Sequence, residues 1–267
     1  MHTMLLIFTV GFYAAALTAL ILSVRGASAV GHAQRLGIIL AVPAAVLHTA
    51  LLWQHSWTAD GLNLSVLNAA SLTGWLMTLM LLLAVSRHPV HSLGLLVFPF
   101  AGLAALAAGL PGVPGQSLVP LGSAVDIHVI TSVLAYAVLG LATAQALLLS
   151  WQETRLKRCQ ASSVIGLLPP LQSMESLLFQ MLATGFLLLT VALVTGWLFV
   201  DNLFAQDLGH KTVLSMVAWV VFAGLLIGRQ RAGWRGRVAI RWTLVGFSLL
   251  AVGYFGSKIV LEVILGR

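Results

Sequence analysis

Residues 124–151 read AVDIHVITSVLAYAVLGLATAQALLLSW. Only one side chain in this stretch, Asp126, carries a formal charge. A membrane-spanning helix needs about 20 mostly apolar residues, so the stretch predicts a spanning helix with length to spare. A barrel strand would alternate polar and apolar positions over about ten residues, and no such alternation is present. Four similar runs precede it, at about 3–24, 36–54, 66–85 and 93–110. Three follow, at about 176–200, 211–228 and 238–260. The predicted fold is therefore all-α: a polytopic membrane bundle of eight transmembrane helices. No linker is long enough to separate soluble domains, so residues 1–267 are expected to form a single integral membrane domain.

The composition agrees. Of 267 residues, 60% are hydrophobic and 8% charged, and the mean hydropathy is +1.01. A soluble domain is typically about 25% charged, so 21 charged side chains could not cover the surface of a soluble globule. The net charge of +7 and a pI near 10.5 could suggest a nucleic-acid partner. Here, however, the basic residues lie in short tracts between apolar runs, as polytopic membrane proteins place them, so the expected surroundings are a lipid bilayer and no nucleic acid. A single cysteine, Cys159, rules out an internal disulfide framework, and there is no CxxC or CxxCH motif.

Eleven of the 14 Lys and Arg residues fall in the first, third, fifth and seventh connections. They are Arg25, Arg35, Arg87, Arg155, Lys157, Arg158, Arg229, Arg231, Arg235, Arg237 and Arg241. The other side holds Lys211, Lys258 and Arg267. The positive-inside rule then places both termini outside the cytoplasm and Cys159 within it. Ala27-Ser28-Ala29 resembles a signal-peptide cleavage site, but no Lys or Arg precedes the first apolar run. That polarity suits a retained helix. Trp53, Trp57, Trp197 and Phe199 gather near the expected outer ends, as interfacial aromatics do.

In so apolar a chain the informative residues are polar ones at membrane depth. His32, His88 and His91 fall in cytoplasmic connections and His2 is terminal; His48, His55, His128 and His210 fall on the outer half. His48 lies roughly 9 Å inside the outer end of the second span, and His128 roughly 6 Å inside that of the fifth. Each could simply satisfy a hydrogen bond between helices. Two histidines at matched depth could instead share a ligand. Neutral imidazole is a good axial ligand for haem iron, and a flat apolar macrocycle suits a bundle interior. This reading makes His48 and His128 the metal ligands of a bis-His haem b (iron protoporphyrin IX). His210, Lys211 and Lys258 then belong to the cofactor-binding set, with the lysines meeting the propionates or serving only as interfacial anchors. Zinc is less favoured, because only Asp126 stands at a matching depth. The Arg-rich stretch 229–237 reads as a topology determinant in contact with anionic lipid. No GxSxG, HExxH or Walker pattern is present, so no self-contained catalytic site is expected.

Several motifs resemble one family. His128-Val-Ile-Thr-Ser-Val-Leu-Ala-Tyr136-Ala resembles the H-x7-Y-A helix start of CcsA-type cytochrome c assembly proteins. Gly233-Trp234-Arg235-Gly236 and Tyr254-Phe255-Gly256 resemble two further segments of it. The likeness is closer to its YpjD-like inner-membrane branch. It is carried by Asn68-Ala-Ala-Ser-Leu72, Leu168-Pro-Pro-Leu-Gln-Ser-Met-Glu175, His210-Lys-Thr-Val-Leu-Ser-Met-Val-Ala-Trp219 and Tyr254-Phe-Gly-Ser-Lys258. The resemblance spans nearly the whole chain. It implies a multi-pass protein of the bacterial inner membrane that binds or handles haem near the outer face, with other cytochrome c maturation membrane proteins as candidate partners. His128 matches the first histidine that flanks the family's WWD motif. The motif itself is missing: residues 200–209 read VDNLFAQDLG, and no histidine follows Tyr254-Phe255-Gly256. The resemblance therefore implies haem handling rather than attachment of haem to an apocytochrome. The alternatives are a small-molecule transporter and a haem-free structural or regulatory subunit of the same fold.

The orientation has a built-in test. A membrane-impermeant thiol reagent should leave Cys159 unlabelled in intact spheroplasts and label it in inside-out vesicles; the reverse pattern would invert the topology.

Overall fold

The computed structural model describes residues 2–24, 30–58, 61–110, 118–119, 125–157, 170–199 and 209–256. Its helices are α1 (His2–Val24), α2 (Val30–Ser56), α3 (Val66–Val85), α4 (Gly94–Gly109), α5 (Val125–Lys157), α6 (Leu171–Phe199), α7 (Gly209–Ala232) and α8 (Arg237–Ala251). A 3-10 turn, His91–Leu93, leads into α4, and a π-helical turn, Val252–Gly256, continues α8. Each expected span corresponds to one helix, and among the described residues eight helices are long and apolar enough to cross a membrane. Several run past the apolar stretch that announced them. α2 starts at Val30 rather than near 36, α6 at Leu171 rather than near 176, and α7 ends at Ala232 rather than near 228. Hydropathy stops at the first charge, whereas backbone hydrogen bonding continues until a breaker arrives. The extension of α5 to Lys157 carries an i,i+4 ion pair between Glu153 and Lys157.

The hydropathy pattern also did not announce three short strands, β1 (Trp57–Thr58), β2 (Gly61–Asn63) and β3 (Leu118–Val119). β2 pairs antiparallel with β3, Leu62 opposite Val119 and Asn63 opposite Leu118.

The chain forms two compact units. The first comprises Met1–Ala59, Leu67–Val113 and Trp151–Met174, the second Asp60–Val66, Pro114–Ser150 and Glu175–Arg267. In the first unit α1 packs against α2 and α4. Hydrocarbon gives apolar helices no reason to associate, so close approach through small residues supplies the packing. Ala16, Ala41, Ala44 and Ala101 are fully buried. Gly74 of α3 lies so near α4 that a Cβ there would stand 2.9 Å from the Cα of Ala101. In the second unit α7 packs against α8, and Gly246 leaves room for the fully buried ring of Phe222. Trp219 stacks on Phe186 and donates its indole N–H to Thr190 Oγ1 at 2.9 Å, tying α7 to α6. Large apolar side chains also cover the outside. Leu83 and Trp197 are each 74% exposed, as lipid-facing residues are.

The α3–α4 approach gives a stability prediction. Gly74→Ala sets a methyl against backbone that cannot swing aside, and should cost about 1–3 kcal/mol. Gly11→Ala meets nothing within 4 Å and should be neutral or slightly stabilising. Thermal melts in detergent would separate the two; equal melting temperatures would contradict the tight approach.

Candidate functional site

The two histidines singled out by depth have opposite surroundings. His48 of α2 is fully buried in the first unit, and both its ring nitrogens are engaged. Nδ1 lies 3.1 Å from the Tyr13 hydroxyl of α1, and Nε2 lies 2.8 Å from Ser71 Oγ of α3. One arrangement of protons satisfies the whole group. Thr78 donates to the Gly74 carbonyl at 2.9 Å, so its oxygen accepts from Tyr13 at 3.4 Å. The Tyr13 oxygen then accepts from His48 Nδ1–H, and Ser71 donates to Nε2. Four side chains from three helices thus form one directed chain ending on a backbone carbonyl. Trp75 adds a second α3–α2 link, donating to Thr49 Oγ1 at 2.9 Å. His48 therefore presents no spare nitrogen in this arrangement.

His128 is open by contrast. It lies in the first turn of α5, half-buried in the second unit. Its Nδ1 stands 2.7 Å from the Ala192 carbonyl of α6. A carbonyl only accepts, so Nδ1 carries the proton and the neutral ring keeps its lone pair on Nε2. Among the described residues Nε2 has no hydrogen-bond partner. Gly196, one turn beyond Ala192, makes room for the ring: a Cβ there would stand 2.9 Å from Cε1 and 3.0 Å from Nδ1. An imidazole whose far N–H is fixed on a backbone carbonyl is oriented as metal-ligating histidines usually are.

The remaining expected site residues are less defined. His210 and Lys211 open α7. The side chain of His210 lies outside the described residues, and so does Lys258. Lys211 is half-buried, and its carbonyl lies beside the π-helical turn at Gly253. Among the described residues no three His, Cys, Asp or Glu side chains gather as a metal site.

Some partners were not visible in the sequence reading. Tyr13 and Thr78 complete the His48 network, and the one signal was the single tyrosine of α1. Ser71 of α3 supplies the third partner, bonding across to α2. Tyr136 donates to the Leu250 carbonyl at 2.6 Å, and Tyr254 to that of Leu64 at 3.4 Å, so α5 and the π-helical turn share an aromatic cluster with Phe255. The Arg-rich stretch does more than set topology. Glu175 of α6 accepts from Arg229 at 3.2 Å and from the Gly236 N–H at 3.3 Å, with Arg235 Nε at 3.7 Å.

Fold and site together define an integral membrane helical protein in which His48 has both ring nitrogens engaged and His128 has one. The sequence profile of the cytochrome c assembly proteins matches residues 36–265, and the chain belongs to that family. It is 35% identical over 237 residues to the inner membrane protein YpjD of Escherichia coli K12, covering 88% of this chain and 89% of that one. An uncharacterised 28.8 kDa protein of Azospirillum brasilense is 35% identical over 144 residues, 53% of each chain. The cytochrome c biogenesis protein CcsA of Synechococcus sp. (strain CC9605) is 29% identical over 90 residues, 33% of this chain and 30% of that one. No solved structure matches the chain.

The sealed network predicts a stability effect. Tyr13→Phe and Ser71→Ala each remove a partner of buried His48 and should cost about 0.6–2 kcal/mol. Thr18→Val, which loses only an exposed bond within its own helix, should change stability by less than about 0.5 kcal/mol. Detergent-phase denaturation curves test the contrast; a silent Tyr13→Phe would mean the network contributes nothing to the fold.

Proposed function

We propose that this protein binds haem b in the bacterial inner membrane and handles it near the outer face, in an accessory role in cytochrome c maturation. The observation that carries the reading is His128: Nδ1–H fixed on Ala192, Nε2 open, ring seated over Gly196. His128 would hold the haem iron through Nε2, with Ala192 and Gly196 keeping its ring in place. When bound, haem would supply a redox-active iron; the protein's part is to orient the ligating nitrogen and keep its tautomer. Family membership and the relatives' names support the cytochrome c context. The inner membrane is the location named for the Escherichia coli relative.

The expected second ligand, His48, fits less well. Its Nε2 could take iron only by giving up Ser71, so bis-His ligation needs a rearrangement at that end. Lys211 and Lys258 remain the proposed partners of the propionates, because an ionised carboxylate near hydrocarbon must be paired or reach water. His210, next to Lys211, is the reserve ligand. Both termini outside the cytoplasm would put these groups on the outer side. Other cytochrome c maturation membrane proteins are the proposed partners. A second reading, a haem-free structural subunit, draws on the closed His48 network, which needs no cofactor to be satisfied.

The absorption spectrum of detergent-purified protein decides between them. The wild type should show a Soret band, and His128→Ala should lower haem occupancy about tenfold or more. His32→Ala and His91→Ala should keep the wild-type spectrum. A wild type that takes up no haem, or a His128→Ala variant with full occupancy, would sink the proposal.

A further inference from the structure

A second pair of histidines lies in the first unit, apart from the His48 network. His2 opens α1 and His55 stands next to the end of α2. α1 and α2 pack together, and the two rings meet with centroids 4.4 Å apart, tilted by 55°. His55 Nδ1 lies 2.9 Å from the Leu51 carbonyl one turn back. As at His128, a carbonyl accepts only, so the proton sits on Nδ1 and the neutral ring offers its lone pair at Nε2. His2 Nε2 is buried with no hydrogen-bond partner, and so is Ser56 Oγ, one residue beyond His55. A buried polar atom left unpaired carries its full desolvation cost. His2 Nε2, an unpaired buried atom on a ring packed against an oriented imidazole, points to a missing occupant.

The chemistry limits what that occupant can be. Two imidazole nitrogens suit zinc, copper or nickel. Calcium and magnesium call for oxygen ligands. Rings sharing one tetrahedral ion through bonds of about 2.0–2.1 Å have centroids roughly 5–5.5 Å apart, so the two rings part by about 1 Å when the ion binds. Among the described residues no third His, Cys, Asp or Glu joins the pair. A site with two histidine ligands binds an exchangeable ion rather than a locked structural one. We propose that His2 and His55 form a binding site for a first-row divalent transition-metal ion at the end of the α1–α2 pair, with water completing its coordination.

The test uses the full chain in detergent, free of any polyhistidine tag and stripped with a chelator. Zn2+ is titrated in competition with a chromophoric indicator. The wild type should bind one ion per chain at roughly micromolar affinity and melt at a higher temperature with Zn2+ present. His2→Gln and His55→Gln should each weaken binding about tenfold or more, and abolish the rise in melting temperature. His88→Ala should do neither. Equal Zn2+ affinity in the wild type and the double variant, or no binding by the wild type, would overturn the proposal. Should the variants fail to fold, as far-UV circular dichroism would show, Cu2+-loaded wild type decides: electron paramagnetic resonance with hyperfine coupling to two imidazole nitrogens supports the site, and its absence overturns it.

Discussion

Hydrocarbon offers no hydrogen bonds, so a polar group carried to membrane depth must find its partner within the protein. The packing of α1, α2 and α3 follows from that constraint. His48 cannot stay where the sequence puts it unless both ring nitrogens are engaged, and it draws Tyr13 and Ser71 from two other helices. Apolar contact alone would not hold these helices in register, because lipid tails match leucine side chains equally well. A directed chain of hydrogen bonds fixes the rotation of each helix about its axis. The small residues then let the backbones close up around it: Ala41, Ala44 and Ala45 on α2, and Gly74 on α3.

The same constraint separates the two histidines as chemical groups. At His48 the protein has engaged both nitrogens, so the ring ties three helices together. At His128 it has used one, on a backbone carbonyl, and left the other. Ala192 and Gly196, one turn apart on α6, serve the two requirements: the first gives its carbonyl, the second gives space. A larger residue at 196 would push the ring off the carbonyl and release the tautomer. Matched depth treated His48 and His128 as equivalent; the accounting of donors and acceptors shows them to be different.

The eight spans were legible because length and hydropathy carry that information almost alone. The helix ends were not, since charge marks the membrane boundary and not the helix boundary, as Arg35 in α2 and Glu153 in α5 illustrate. The site was legible in part. The depth of a histidine follows from residue counting, and His128 was also marked by the resemblance. Which nitrogen is free depends on Tyr13, Ser71 and Ala192, which lie 35, 23 and 64 residues away in the chain. No local pattern encodes such pairings. Gly196 was invisible for another reason: glycine is common in membrane helices, and only the facing ring gives this one a role.

Glu175 shows how a topology signal and a structural role can share residues. Five arginines between 229 and 241 satisfy the positive-inside rule by number alone, and any of them would serve that purpose. Arg229 is distinguished by what it touches. Its guanidinium lies over the Phe179 ring at 4.6 Å, bonds Glu175, and reaches the Trp234 carbonyl at 3.3 Å. Glu175, only 13% exposed, also accepts the Gly236 N–H. Gly233 and Gly236 both have positive φ, 63° and 57°, which a residue with a Cβ rarely adopts. The turn between α7 and α8 is therefore built from glycines that permit its path and a carboxylate that holds it. Without Glu175, Arg229 would lose its carboxylate partner and the Gly236 N–H its acceptor. Lysine at 229 would keep the topology signal, but would lack the planar fork that meets a carboxylate and a carbonyl together.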